Sequence, residues 1–91
     1  MTRLSEEETK TNLKKAKGWK RIGKEIKKTY TFANFTQSIE FVNKVARLAE
    51  TADHHPDILI QYDKVSLTLS THDEGGLTSR DFRLAAKIDA I

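Results

Sequence analysis

Apolar residues along this chain recur with two different periods. Phe35, Ile39, Val42, Ala46 and Ala49 follow one another at spacings of four, three, four and three, and Phe41, Val45 and Leu48 widen the stripe. That pattern predicts an amphipathic helix with a broad buried face. Asn34, followed three residues later by Gln37, offers its N-cap. Pro56 steers His55 away from the α region, so the helix should end near Ala52 or Asp53. Elsewhere the period falls to two. Val65, Leu67 and Leu69 alternate with Ser66, Thr68, Ser70 and His72, which predicts a strand over 65–72 with His72 on its polar face.

Three further strands flank these elements. Trp19–Ile22 and Ile26–Phe32, around Gly23-Lys24, read as a hairpin, and Ile58–Tyr62 joins the strand from Val65 through a turn at Asp63-Lys64. Ser5 with Glu8 is a capping box for a short helix over about 6–16, which Gly18 stops. After the loop Asp73–Gly76, Thr78 with Asp81 is another capping box, and Leu77 with Phe82 has the spacing of a hydrophobic staple. A last helix then carries Phe82, Ala85, Ala86 and Ile88. The order helix, strand, strand, helix, strand, strand, helix predicts an α+β fold. It is a two-layer sandwich in which a four-stranded antiparallel sheet carries the helices on one face.

Length and composition narrow the class. Ninety-one residues suit one domain spanning 1–91. A core this small leaves a thin stability margin that self-association would widen. No apolar run approaches the roughly 18–20 residues of a membrane span, and the N-terminus lacks the apolar core of a signal peptide. Without cysteine there is no disulfide, thiolate nucleophile or thiolate metal site. A soluble cytoplasmic protein is expected. Up to Lys28 the chain carries ten Lys/Arg against four Glu, and beyond it six against nine acidic residues. Interleaved glutamates and the lack of a recognition motif make the basic third a solvated face rather than a nucleic-acid site.

All three histidines fall in two polar knots, Asp53-His54-His55-Pro56 and Ser70-Thr71-His72-Asp73. Imidazole, with an ordinary pKa of about 6.5, gives and takes protons near neutrality, and the neighbouring Asp53 and Asp73 could fix its tautomers. Acid–base catalysis is one reading. A zinc site is a second, although adjacent histidines would need an unusual turn to reach one ion and the HExxH spacing is absent. Surface polar residues without a joint role are a third. There is no glycine-rich phosphate loop, since Gly75-Gly76 alone reads as a turn. Trp19 reads as core or pocket wall, Tyr62 as strand packing and Arg80 as solvated.

The blocks Glu50–Asp57, Tyr62–Val65, Leu69–Asp73 and Gly76–Asp81, with Gly18-Trp19, resemble the pterin-4a-carbinolamine dehydratase family over roughly residues 4–90. The pairing of Asp-His-His-Pro with Ser-Thr-His is the specific part. The resemblance implies a hydro-lyase without metal or cofactor. It would convert 4a-hydroxytetrahydropterin to quinonoid dihydropterin and water in tetrahydrobiopterin recycling. It implies His54, His55 and His72 as catalytic residues and substrate contacts from them and from Asp53, Ser70, Thr71 and Asp73. Glu50 and Asp81 would orient the histidines or bind the ring edge. A homodimer or homotetramer is implied. The alternative is a non-catalytic pterin-binding or dimerisation module. Ile58-Leu59-Ile60 departs from animal relatives, which often carry an aromatic residue after the His-His-Pro block.

Overall fold

The computed structural model describes residues 2–91. In chain order the elements are α1 (Glu6–Lys15), β1 (Lys20–Ile22), β2 (Glu25–Thr31), α2 (Phe35–Ala52), β3 (Asp57–Gln61), β4 (Lys64–Leu69), a 3-10 turn (His72–Glu74) and α3 (Ser79–Asp89). The α+β class and its order agree with the sequence pattern. The sheet runs β1-β2-β4-β3 with every neighbouring pair antiparallel, so the two hairpins meet along β2 and β4.

Register follows from the turns. Ile22 pairs with Glu25 around Gly23-Lys24, and Gly23 takes φ +62, a left-handed conformation free of strain for glycine. Gln61 pairs with Lys64, so the second loop is Tyr62-Asp63 rather than Asp63-Lys64. Tyr62 is therefore not a strand residue. It occupies the first loop position at φ 56 and is 66% exposed. Period two alone could not place this turn, because a shift of one residue leaves both flanking strands looking alike.

One face of the sheet buries the core. On the interior strand β4, Val65, Leu67 and Leu69 are fully buried, with Ile26 beside them on β2. Phe41, Val45 and Ala49 of α2 and Phe82, Leu84, Ala85 and Ile88 of α3 are buried from the helical layer. Each large aliphatic side chain removed from water this way stabilises the fold by about 1.5–3 kcal/mol.

The end of α3 is tied to the sheet by one carboxylate. Asp89 accepts from Trp19 Nε1 at 3.0 Å, from Lys28 Nζ at 2.8 Å and from the Tyr30 hydroxyl. Partial burial pushes the Asp89 carboxyl up, but the three donors and the Lys28 charge together outweigh it and hold the group below its ordinary value. Burial, then the bond to Asp89, drives the Tyr30 phenol well above its own. Trp19 is thus a core residue with its one donor satisfied.

Candidate active site

The first histidine knot is shaped by the end of α2. Asp53 is the C-cap in the left-handed region (φ 50, ψ 44), and its N–H bonds the carbonyls of Ala49 and Glu50. The His54 N–H reaches back to the Ala49 carbonyl at 3.1 Å. These bonds satisfy the last helical carbonyls and turn the chain sharply. His54 is then buried while His55 remains exposed. His55 Nε2 meets Glu50 Oε2 of the preceding helical turn, in a pair open to solvent.

The second knot is a closed loop. Thr71 and Gly76 exchange backbone hydrogen bonds at 3.0 and 3.3 Å, and His72–Glu74 make a single 3-10 turn between them. Gly75 closes that turn at φ 72. The strand expected over 65–72 therefore ends at Leu69. His72 lies on the turn rather than in line with Ser66 and Thr68, because Thr71 pairs within its own loop instead of extending β4. His72 and Asp73 are exposed. The Ser70 hydroxyl donates to the Lys24 carbonyl in the first hairpin loop at 2.9 Å, which ties it to the sheet.

Asp81 joins the two knots. It is fully buried at the third position of α3, in a capping box with Thr78. Its Oδ1 lies 2.6 Å from His54 Nε2. Its Oδ2 accepts from the Thr71 hydroxyl at 2.8 Å and from the Thr78 N–H at 3.0 Å. The Thr71 proton is committed to Asp81, so in the 2.9 Å contact between the two threonine hydroxyls Thr78 donates to Thr71. Both bonds to Oδ2 point at the carboxylate, and an ionised carboxylate can only accept. His54 Nε2 must therefore carry a proton, which leaves Nδ1 of the neutral ring as an acceptor.

Adjacency in sequence had suggested Asp53 and Asp73 as the carboxylates that fix the imidazoles. For His54 the partner is Asp81, 27 positions away, while Asp53 takes the left-handed C-cap position of α2 and stays exposed. The capping-box spacing located Asp81 at a helix start; that its other oxygen would reach a histidine needed the packing of α3 against the end of α2. Sequence reasoning also treated Arg80 alone and passed over Arg83 and Lys87. With Ala52, His54 and Leu84 these three line a hollow of about 300 Å³. Their spacing of three and four on one helix was the available signal.

Among the described residues, no group of three or more His, Cys, Asp or Glu side chains is placed to hold a metal ion. No helix there is long and apolar enough to cross a membrane.

Comparison with known proteins agrees with this architecture. Residues 2–91 match the model of the family described as pterin 4 alpha carbinolamine dehydratase. A relative from Sulfolobus acidocaldarius is 47% identical over 89 residues, covering 98% of each chain. One from Roseiflexus sp. (strain RS-1) is 53% identical over 90 residues, covering 99% of this chain and 97% of its own. Both are provisionally named pterin-4-alpha-carbinolamine dehydratases. A crystal structure of a transcriptional coactivator/pterin dehydratase from Brucella melitensis superposes with a TM-score of 0.93 at 34% identity, covering 98% of this chain and 97% of that one. A pterin dehydratase-like protein identified as a RuBisCO assembly factor in the alpha-carboxysome gives 0.70 at 28% identity, covering 80% and 87%. The chain belongs to the pterin 4 alpha carbinolamine dehydratase family.

Proposed function

We propose that this family member is a cytoplasmic hydro-lyase that dehydrates 4a-hydroxytetrahydropterin to quinonoid dihydropterin by histidine acid–base catalysis, within tetrahydrobiopterin recycling. The observation that carries the reading is the bonding of Asp81 to both knots, to His54 of the first and to Thr71, next to His72, of the second. A carbinolamine dehydration breaks the C4a–O bond, forms the C4a=N5 bond and loses the N5 proton. One acid must protonate the departing oxygen and one base must take the N5 proton, so the two transfers balance and no external reductant or oxidant enters. Such positioned groups contribute about 10²–10⁴-fold each.

In this reading His54 has a fixed tautomer with Nδ1 as acceptor, and Asp81 stabilises the imidazolium that forms when it takes a proton. His72, on its loop beside Thr71, supplies the complementary acid. His55, paired with Glu50, contacts the pterin and shares in proton transfer. Asp53, Ser70, Thr71 and Asp73 line the substrate site through the loops that carry them. Self-association as a homodimer or homotetramer belongs to the same proposal, supported by Ile58 and Leu59, exposed on the edge strand β3.

The test is to generate a 4a-hydroxytetrahydropterin and follow its loss by absorbance with wild type, His54→Ala and His72→Ala, with and without chelator. Acceleration that survives chelator and collapses in both variants supports the proposal. No acceleration by folded wild-type protein would refute it. A second reading, a non-catalytic protein-interaction module, draws on the assembly-factor relative. That outcome favours it.

A further inference from the structure

We infer that the seam between α2 and α3 is a phosphate subsite, and that the pterin this protein takes carries a phosphorylated side chain. The inference rests on the pterin reading above and deepens it.

The observation is a concentration of unpaired positive charge. Arg80, Arg83 and Lys87 line the hollow of about 300 Å³ that His54 also lines, over a floor that includes the buried Leu84. Spaced by three and four, they share one face of α3. Lys87 also lines a neighbouring hollow of about 470 Å³, together with Lys44 and Arg47 from α2. Downstream of Lys28 the basic residues are Lys44, Arg47, Lys64, Arg80, Arg83 and Lys87, and all but Lys64 line one of these two hollows. They gather there although acidic residues outnumber basic ones nine to six in that part of the chain.

A solvated helix face normally mixes both signs. Here no Asp or Glu side chain lines either part of the seam near these cations. Among the described residues none of Arg80, Arg83, Lys87, Lys44 and Arg47 forms an ion pair with a carboxylate. Among the described residues the only side-chain hydrogen bond these five make joins Arg83 to Ser79 Oγ at 3.4 Å. Grouped guanidinium and ammonium groups that repel one another and form no ion pair among the described residues fit an anion, and guanidinium suits phosphate oxygens in particular.

Placement selects the ligand. The cationic hollow shares His54 with the candidate catalytic cluster, so a ring seated there would have the cations within reach of its substituent. Arg80 to Lys87 covers about 10 Å of helix. That length suits a short side chain ending in phosphate.

The test uses two pterins that differ only by a phosphate monoester at the end of the side chain, titrated as stable oxidised pterins by their fluorescence. Wild type should bind the monoester about tenfold more tightly, corresponding to one charge-assisted contact set. The double variant Arg83→Gln/Lys87→Gln should bind the two ligands alike, and added salt should shrink the wild-type preference. Equal binding of the pair by wild type overturns the inference, as does a preference unchanged in the double variant. Inorganic phosphate that competes as well as the monoester would mark a free-phosphate site and also overturns it. Dehydration rates of the matching 4a-hydroxy pair separate this inference from the one it rests on. Turnover without phosphate preference removes the subsite and leaves the dehydratase. Phosphate preference without turnover of either substrate leaves the subsite and removes the dehydratase.

Discussion

Replacing Asp81 by asparagine tests the central arrangement at one atom. The carboxylate receives three donors: His54 Nε2 at 2.6 Å, the Thr71 hydroxyl at 2.8 Å and the Thr78 N–H at 3.0 Å. Asparagine keeps one oxygen. With that oxygen in place of Oδ2, Thr71 and Thr78 stay bonded and the side-chain NH₂ faces His54. The imidazole must then shift its proton from Nε2 to Nδ1, and it loses the counter-charge for an imidazolium. Loss of one charge-assisted bond costs about 1.5–3 kcal/mol. Against a total of roughly 5–14 kcal/mol for a chain of this length, most of the population stays folded. The dehydration rate, by contrast, should drop about 10²–10⁴-fold, the share a general base supplies. Urea unfolding gives the first quantity and single-turnover absorbance the second. Ser5→Ala is the control, since it removes a helix cap on α1, costs about 1 kcal/mol and should leave the rate unchanged. An Asp81→Asn protein that turns over within threefold of wild type would rule out this role for the carboxylate.

Other perturbations read separate parts of the molecule. His72→Ala should lose most of the rate with under about 0.5 kcal/mol of stability, because the side chain is exposed, and a melting curve beside the kinetics checks both. Asp89→Asn should cost about 1–2 kcal/mol at pH 7, with the charge contribution reduced by solvent around a side chain that is 27% exposed. Because the folded carboxyl lies below its ordinary 3.8, the wild-type advantage is complete above that value and fades as pH falls through the lowered one. Urea curves from pH 7 downwards that show a constant gap would contradict this. Tyr62→Asn should raise stability by up to about 1 kcal/mol by relieving a left-handed conformation at φ 56, and a lower melting temperature would argue against it. Glu50→Ala should change stability by no more than about 0.5 kcal/mol, as an exposed pair contributes little, whereas a loss above 1 kcal/mol would not fit.

Much of the fold was readable because local signals agreed. The caps at Ser5, Asn34 and Thr78 all start helices, and the stripe from Phe35 to Ala49 lies in a single helix. Pro56 placed the end of α2 correctly. The misplacements have a common origin. In β4 the alternation runs on to His72 and in β3 the strand-like run goes on to Tyr62, both past the point where pairing stops, because pairing is a property of two strands rather than one. The candidate site was half visible for the same reason. Its histidines announce themselves by clustering, but the carboxylate beside His54 arrives from α3, and nothing within 27 residues of local sequence predicts that contact. The family resemblance implied Asp81 as a residue that orients the histidines or binds the ring edge, where spacing could not single it out. The pairing of Trp19, Lys28 and Tyr30 with Asp89 gave no sequence signal at all.

Asp81 also sets an order in time. His54 leaves the ribosome long before Asp81, and until α3 has formed and docked the imidazole has no partner on which to fix its tautomer. A half-made chain can close its first hairpin and its long helix, yet its two histidine knots stay unconnected. Asp81, in the first turn of α3, completes the cluster, so the proposed proton chemistry would switch on only as the closing layer of the fold settles. Any site chemistry becomes a report on the docking of α3, and conditions that loosen this helix should silence it before the sheet melts.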